Sequence, residues 1–499
     1  MLSLPWRRPW RAVFCLAFAT TLNGAASAQT PPAPADATLP PVSASGQRIF
    51  ESTRAQLLQV RTLLREQDSQ ATVGSGFLVD AQGLAITNYH VVSQYALRPS
   101  AYRLSYTMAE GRSGALQLLS FDVVHDLALV RVLPPGEAPA EAPSMGASAA
   151  SAATAATPVA TPAATPAASP VAAPATARAA APVAITPLAF RAAARPLSKG
   201  ERIYSLGNPL DVGFAVVEGI FNGLIERSYL PQIFFGGSLN PGMSGGPAVD
   251  QAGNVIGINV ATRLDGQQVS FLVPAEHAVA LLARGRTAQP ITQAVYAEVT
   301  RQLTVHQAGL VDRFVGMPWR SANHARYRVP VPQETFMRCW GSTSPAEAKF
   351  LEFERSDCTM DQAVYVTGSL LTGAITVRHE AYDGSKLGSL RFARVYTESF
   401  RNEHFFSGRS ATAPQCKERT VDRNGLALRA VVCLSALKRF EGLFNLSVLA
   451  TSVDHATQGV QGRLDARGVD FAGAMKLTEH YLQGFAWTQA RPAAKAATK

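Results

Sequence analysis

Short runs of alternating apolar and polar residues, broken by glycine, proline and aspartate, dominate this chain and predict strands far more often than helices. Gly76-Phe77-Leu78-Val79 and Leu84-Ala85-Ile86-Thr87 flank a turn at Asp80 to Gly83, and Val123 to Val132 reads as a further strand. After a long break the pattern resumes at Leu188. Strands are expected at Ile203–Leu206, Ala215–Ile220, Gly246–Val249, Val255–Val260 and Val269–Val273. Pro274 to Leu282 reads as a helix with proline in its first turn. Residues 291 to 315 place Val295, Val299, Leu303, Ala308, Leu310 and Phe314 at helical spacing, within a helical connector expected over 287–324. Beyond it, Ala363–Val366, Ala374–His379, Leu390–Val395 and Phe444–Ala450 read as strands, and Asp470 to Phe485 as a closing helix. The pattern predicts an all-β barrel architecture over 45–286 and an α+β domain with an antiparallel sheet over 325–490.

The long break is compositional. From Glu137 to Ile185 the chain has 49 residues, of which 23 are alanine, 8 are proline and none is aromatic. Proline at this density forbids a helix despite the alanine, so a flexible or polyproline-like tether is expected, inserted within the barrel region. Residues 29–44 read as a similar Pro/Ala-rich tether and 491–499 as a disordered tail. The block explains much of the 47 % hydrophobic and 16 % charged composition. Mean hydropathy is only +0.04, and outside a short leader no run of eighteen residues lacks polar interruption, which excludes a polytopic membrane protein. Aromatics at 8 % exclude a wholly disordered chain.

Residues 1–28 have the form of a secretion signal: Arg7, Arg8 and Arg11 precede an apolar stretch from Ala12 to Leu22, and Ala26-Ser27-Ala28 is a cleavage site. Cleavage near Gln29 removes three positive charges from a net +10 and leaves +7. A periplasmic or secreted location follows, without stable membrane insertion. No basic run interleaved with aromatics supports nucleic-acid binding. Four of the five cysteines, Cys339, Cys358, Cys416 and Cys433, remain after the leader, as expected for disulfides in an exported chain. Asn424-Gly425 is a two-residue hairpin turn that pairs positions summing to 849, and Cys416 and Cys433 meet that sum at a non-hydrogen-bonded pair. Cys339–Cys358 follows by elimination. A zinc site is the rival, but no CxxC or paired-histidine spacing accompanies these cysteines, and no metal or cofactor is expected.

Four segments converge on one chemistry. Thr87-Asn88-Tyr89-His90-Val91-Val92 sets a histidine just after a strand. Asp126 heads the apolar run Leu127 to Val130, and Asn240 to Pro247 sets Ser244 among glycines. Gly74-Ser75-Gly76-Phe77 lies just upstream of the histidine. A serine hydroxyl is a weak nucleophile at neutral pH and needs an adjacent base, which His90 supplies, while Asp126 fixes the His90 tautomer. Glycines around Ser244 let backbone N–H groups turn inward, and the Gly242 and Ser244 amides form the expected oxyanion hole. Each segment alone is commonplace, but the order His, Asp, Ser with strands between them is one of the known orders of the triad.

Residues about 70 to 282 resemble a trypsin-like serine protease of the HtrA (DegP-like) branch. The likeness rests on the segments above together with Gly207-Asn208-Pro209, Val255-Ile256-Gly257-Ile258-Asn259 and Ser270-Phe271-Leu272-Val273-Pro274. It implies a chymotrypsin-like double β-barrel of two six-stranded barrels, with His90, Asp126 and Ser244 as the catalytic triad at their junction and protein or peptide substrates. Met243 stands before the serine, where digestive relatives carry an aspartate that pairs with a freed N-terminus, so no zymogen switch of that kind is expected. Ser238 corresponds to the base of the specificity pocket, with Val260 and Ala261 near its wall, and this fits small-to-medium apolar side chains. The PDZ domain usual in that branch has no counterpart after residue 290. The alternative reading is a catalytically inactive or chaperone-like peptide-binding protein with the C-terminal domain as its binding module. Of the remaining polar and aromatic residues, His125 is expected at the surface, His379-Glu380 and Asp454-His455 in solvated strand or loop, and Trp340 in the core.

Overall fold

Leu57–Leu64 (β1), Gln70–Leu78 (β2), Leu84–Thr87 (β3), Tyr102–Met108 (β4), Ser113–Asp122 (β5) and Leu127–Val132 (β6) close into a barrel in the order β1-β2-β3-β6-β5-β4. The period-2 rule is plain in β4, where Tyr102, Leu104, Tyr106 and Met108 are buried and the residues between them are not. A second closed barrel, ordered β10-β11-β12-β9-β8-β7, is built from Arg202–Gly207 (β7), Ala215–Leu224 (β8), Ile233–Phe235 (β9), Pro247–Val249 (β10), Val255–Thr262 (β11) and Ser270–Pro274 (β12). Ala44–Thr53 (α1), capped by the Ser43 hydroxyl, lies along β8, Tyr89–Leu97 (α2) follows β3, and Ala275–Gly285 (α3) follows β12. One hydrophobic cluster spans the junction of the barrels, with Phe77, Ile86 and Leu129 from the first, Tyr204, Leu206 and Ile258 from the second, and Leu281 from α3.

This computed structural model describes residues 43–140, 186–262, 268–324, 326–345, 350–401, 408–423 and 425–488. The expected leader, the Pro/Ala-rich segment up to residue 42, the Ala/Pro block from 141 to 185 and the tail 491–499 lie outside the described residues. Among those described, no helix is long and apolar enough to cross a membrane.

Tyr296–Gly316 (α4) leads into the remainder of the chain. Arg320–His324 (β13), Tyr327–Val331 (β14) and the terminal pair Ala486–Trp487 form a small sheet. Met337–Thr343 (β15) and Glu352–Met360 (β16) open a larger one, Val364–Thr367 (β17) and Leu370–Thr372 (β18) make a separate hairpin, and Ile375–Asp383 (β19) returns to the larger sheet. Ser389–Arg401 (α5) precedes Gln415–Arg423 (β20), Leu426–Ala436 (β21), Leu443–Ser452 (β22), Gln458–Asp470 (β23) and Phe471–Gln483 (α6). The antiparallel sheet runs β15-β16-β19-β23-β22-β21-β20, and its core lies between its inner face and α4 and α6.

Both edge strands of this sheet are covalently tied to their neighbours. Cys339 joins Cys358 across β15 and β16, and Cys416 joins Cys433 across β20 and β21, with Cα separations of 4.0 and 4.1 Å. Such distances belong to directly opposed non-hydrogen-bonded residues, and both pairs are in register.

Several local expectations are corrected. Leu390 to Val395 is not a strand but part of α5, because Phe392 and Tyr396 stack at an i, i+4 spacing (5.2 Å) while Leu390 is 88 % exposed. Val123 to Asp126 forms a turn, so the strand begins only at Leu127. Pro274 caps α3 rather than entering its first turn. Trp340 is 68 % exposed on an edge strand, outside the core. His379 and Glu380 are buried, His379 against Tyr481 and Phe485. His125 is half-buried, paired with Asp122 at 3.0 Å and stacked on His277 at 3.8 Å.

Candidate active site

Asp126 is the last residue of the turn before β6 and takes a left-handed backbone (φ 55°). This conformation aims its carboxylate back at the end of β3 and the start of α2. Oδ1 accepts the His90 backbone N–H at 2.8 Å, and Oδ2 pairs with His90 Nδ1 at 2.6 Å. The Asp126 carbonyl accepts the Tyr89 N–H at 3.1 Å and the Asn88 amide at 2.8 Å. Aspartate and histidine are thus held through both backbone and side chain. Burial disfavours the His90 imidazolium, but the charge and hydrogen bond of Asp126 outweigh it and raise the His90 pKa above its ordinary value. With Nδ1 facing the carboxylate, Nε2 is left to act.

Ser244 arrives from the second barrel on two consecutive tight turns. Pro241 and Gly242 (φ 94°) are the central residues of a turn closed by Met243 N–H to the Asn240 carbonyl at 3.1 Å. Gly246 N–H closes the next turn on the Met243 carbonyl at 3.0 Å, with Gly245 at φ 86°. A side chain at Gly245 would put Cβ 2.3 Å from the Ser75 carbonyl and 2.8 Å from Asn88 N, which shows how closely this loop approaches the end of β3 that carries His90. Among the described residues, the Gly242 and Ser244 N–H groups have no acceptor.

The residues that hold the loop were present in the motifs without an assigned role. Ser75 donates its N–H to the Ser244 carbonyl at 2.7 Å, and its hydroxyl bridges the Gly242 carbonyl and the Asn208 N–H at 2.7 and 2.9 Å. Thr87 donates to the Ser75 carbonyl at 2.7 Å, so β2, β3 and the serine loop share one buried network. Asn259 bonds the Leu206 and Met243 carbonyls with its amide and accepts from Ser205. Polar side chains in glycine-rich or apolar surroundings were the signal for these positions, since burial demands that each be satisfied.

Ser244 Oγ donates to the Val260 carbonyl at 3.2 Å. Val260 therefore stands beside the serine. Met243 is fully buried in the core of the second barrel. Ser238 is exposed on the loop after β9, and its place at the base of a pocket rests on sequence position. The side chain of Ala261 lies outside the described residues. Sequence reasoning missed Tyr365, on β17 of the C-terminal domain, whose ring meets the His90 ring edge-on at 5.7 Å.

The chain is similar in sequence to known proteins over the barrel region. The sequence profile of the trypsin-like peptidase domain matches residues 74–179 and 171–258. A protein named putative serine protease HhoA from Synechocystis is 28 % identical over 225 residues, covering 43 % of this chain and 44 % of that protein. A probable periplasmic serine endoprotease DegP-like from Ectopseudomonas mendocina is 25 % identical over 250 residues, covering 48 % and 41 %. The crystal structure of the serine endoprotease from Yersinia pestis superposes with a TM-score of 0.34 at 18 % identity, covering 49 % of this chain and 67 % of that one. The chain spans less than half the length of these curated relatives. The two barrels carry the match to the trypsin-like peptidase domain and resemble the HtrA (DegP-like) branch of serine proteases.

Proposed function

We propose that this chain is an exported serine endopeptidase acting on protein or peptide substrates through Ser244, His90 and Asp126. The observation that carries this reading is the double hold of Asp126 on His90, 2.8 Å to its N–H and 2.6 Å to its ring, beside a serine on glycine turns. For attack, the Ser244 hydroxyl leaves the Val260 carbonyl and donates to His90 Nε2. Its oxygen then bonds to the substrate carbonyl carbon while its proton passes to His90. The carbonyl oxygen, now an anion, accepts from the Gly242 and Ser244 amides, each of which contributes roughly 3–4 kcal/mol of barrier lowering. The C–N bond breaks as His90 returns the proton to the departing amine, and water releases the acyl group by the same route. Asp126 stabilises the transient imidazolium, in keeping with the raised pKa of His90.

Ser238, Val260 and Ala261 would line the pocket for the residue whose carbonyl is attacked, favouring small-to-medium apolar side chains. Export is supported by the leader pattern, the paired cysteines and the periplasmic location in the name of the DegP-like relative.

The test is cleavage of denatured casein and labelling by a fluorophosphonate probe. Ser244→Ala should reduce cleavage by roughly 10⁶-fold and abolish labelling. The rival reading, a peptide-binding protein that does not cleave, is favoured by the Ser244 hydroxyl resting on Val260. A wild-type chain that binds casein but neither cleaves it nor takes the probe would establish that rival.

A further inference from the structure

The β17–β18 hairpin belongs by sequence to the C-terminal domain, yet it packs on the first barrel. Val364, Val366 and Leu370 are buried in the same cluster as Val91, Val92, Tyr95 and Ala96 of α2. The segment just before the hairpin is fastened to the second barrel. The Gln362 side-chain amide donates to the Leu230 carbonyl at 3.0 Å and accepts the Leu230 N–H at 2.9 Å. One short stretch of chain is therefore anchored to both barrels, on either side of the His90–Asp126 pair.

Between these anchors lies a cavity of about 110 Å³. It is lined by Asp126, Val260, Val124 and Leu230 of the barrels and by Ala363 and Tyr365 of the C-terminal domain, with His125, Gln232, His306 and Gln362 among its polar residues. Its lining is mostly apolar, and the side chain of Asp126 is already committed to His90. The space is smaller than the roughly 150 Å³ closed cavity that accepts benzene, which suits a branched aliphatic group better than an aromatic ring.

We propose that the C-terminal domain completes a specificity pocket for one aliphatic substrate side chain beside the scissile bond, with Ala363 and Tyr365 as its specificity-determining residues. This rests on the endopeptidase reading above. The occupant is a neighbour of the residue whose carbonyl is attacked, because the lining includes Val260 and Asp126, which bond Ser244 and His90, and does not include Gly242 or Ser238. Tyr365 lines the pocket and its ring packs edge-to-face with the His90 ring. An aliphatic side chain in this space displaces water from the Asp126–His90 pair and so strengthens it.

The experiment is mass-spectrometric profiling of cleavage sites in denatured casein by full-length wild type, Ala363→Trp and Tyr365→Ala. Ala363 is exposed, so tryptophan there can fill the pocket without entering the core. Wild type should show enrichment of Val, Ile or Leu at one position next to the cleaved bond. Ala363→Trp should lower the ratio of Leu to Ala at that position about tenfold, and Tyr365→Ala should raise the ratio of Phe to Leu there by a similar factor. These ratios are internal to each variant, so partial loss of folded protein does not alter them. Unchanged ratios in both variants, or a uniform rise in cleavage without a change in preference, would overturn the pocket while leaving the endopeptidase reading intact. Absence of cleavage by wild type would overturn the endopeptidase reading, and the pocket with it.

Discussion

The barrels and the C-terminal sheet solve the same problem in opposite ways. Every strand of the two barrels has a neighbour on both sides, so neither barrel has an open edge. The seven-stranded sheet is open, and each of its edge strands is joined by a disulfide to the strand beside it. Closure makes the two barrels indifferent to redox conditions, whereas stapling makes the other domain depend on them. The interiors of both hold buried polar side chains. In the barrels Ser75, Thr87 and Asn259 knit loops across the site, whereas in the sheet Ser447 bonds Asp465 on the neighbouring strand.

The largest expected effect is on the barrel side. Asp126→Asn should lower turnover of casein peptides by about 10⁴-fold, because the amide no longer enforces the required tautomer. The sign of the accompanying pH effect is fixed. Catalysis needs neutral His90, and Asp126 raises the His90 pKa, so the acid limb of wild-type kcat/KM should lie above the usual histidine value near 6.5. It should move to lower pH in Asp126→Asn. An acid limb that stays in place would remove Asp126 as the source of the shift.

Gly245→Ala comes next. The left-handed backbone and the 2.3 Å approach to the Ser75 carbonyl leave no room for a methyl group. Fluorophosphonate labelling should slow by about 10²-fold or more, the scale of losing one oxyanion donor. The unfolding of the C-terminal domain should be untouched. Labelling at the wild-type rate would mean the loop is looser than its geometry.

The stapled side is probed by replacing Cys416 and Cys433 together with serine. Closing a loop of this size stabilises by about 3 kcal/mol, and the pair should lose that amount in a denaturant titration read from the C-terminal domain. The same variant should take the fluorophosphonate probe at the wild-type rate. Equal destabilisation of barrels and sheet would show that the two unfold as one unit and dissolve the contrast. The smallest effect is expected for Ser43→Ala, which removes the cap of α1 and should lower stability by about 1 kcal/mol.

In the first barrel turns and apolar runs marked β2, β3 and β6, while β1, β4 and β5 went unnamed and the count of two six-stranded barrels came from the family resemblance. The hairpin at Asn424-Gly425 was legible for the same reason: turn chemistry fixes register, and Cys416 stands opposite Cys433 as the pairing rule requires. Short apolar runs were ambiguous. Leu390 to Val395 looks like a strand over six residues and shows its helical spacing only when Tyr396 and Phe400 are included. Trp340 was misplaced because composition does not say which strand lies at an edge. His125 and His277 are 152 positions apart, and nothing local to either marks their stacking. The meeting of Tyr365 with His90 was invisible for the same reason, since it depends on how two domains pack.

The hairpin at Val364 to Thr372 also bears on the order in which the molecule can form. Leu58 and Val60 on the first strand share a hydrophobic cluster with Val364, Val366 and Leu370, about three hundred residues later. Contacts so distant in sequence form late, because the entropy of closing the intervening loop must be overcome first. The first barrel therefore keeps an apolar flank uncovered until this hairpin arrives. Its covering by the hairpin and the completion of the cleft beside His90 become one event. A chain that has not finished folding would hold His90, Asp126 and Ser244 in an unfinished setting.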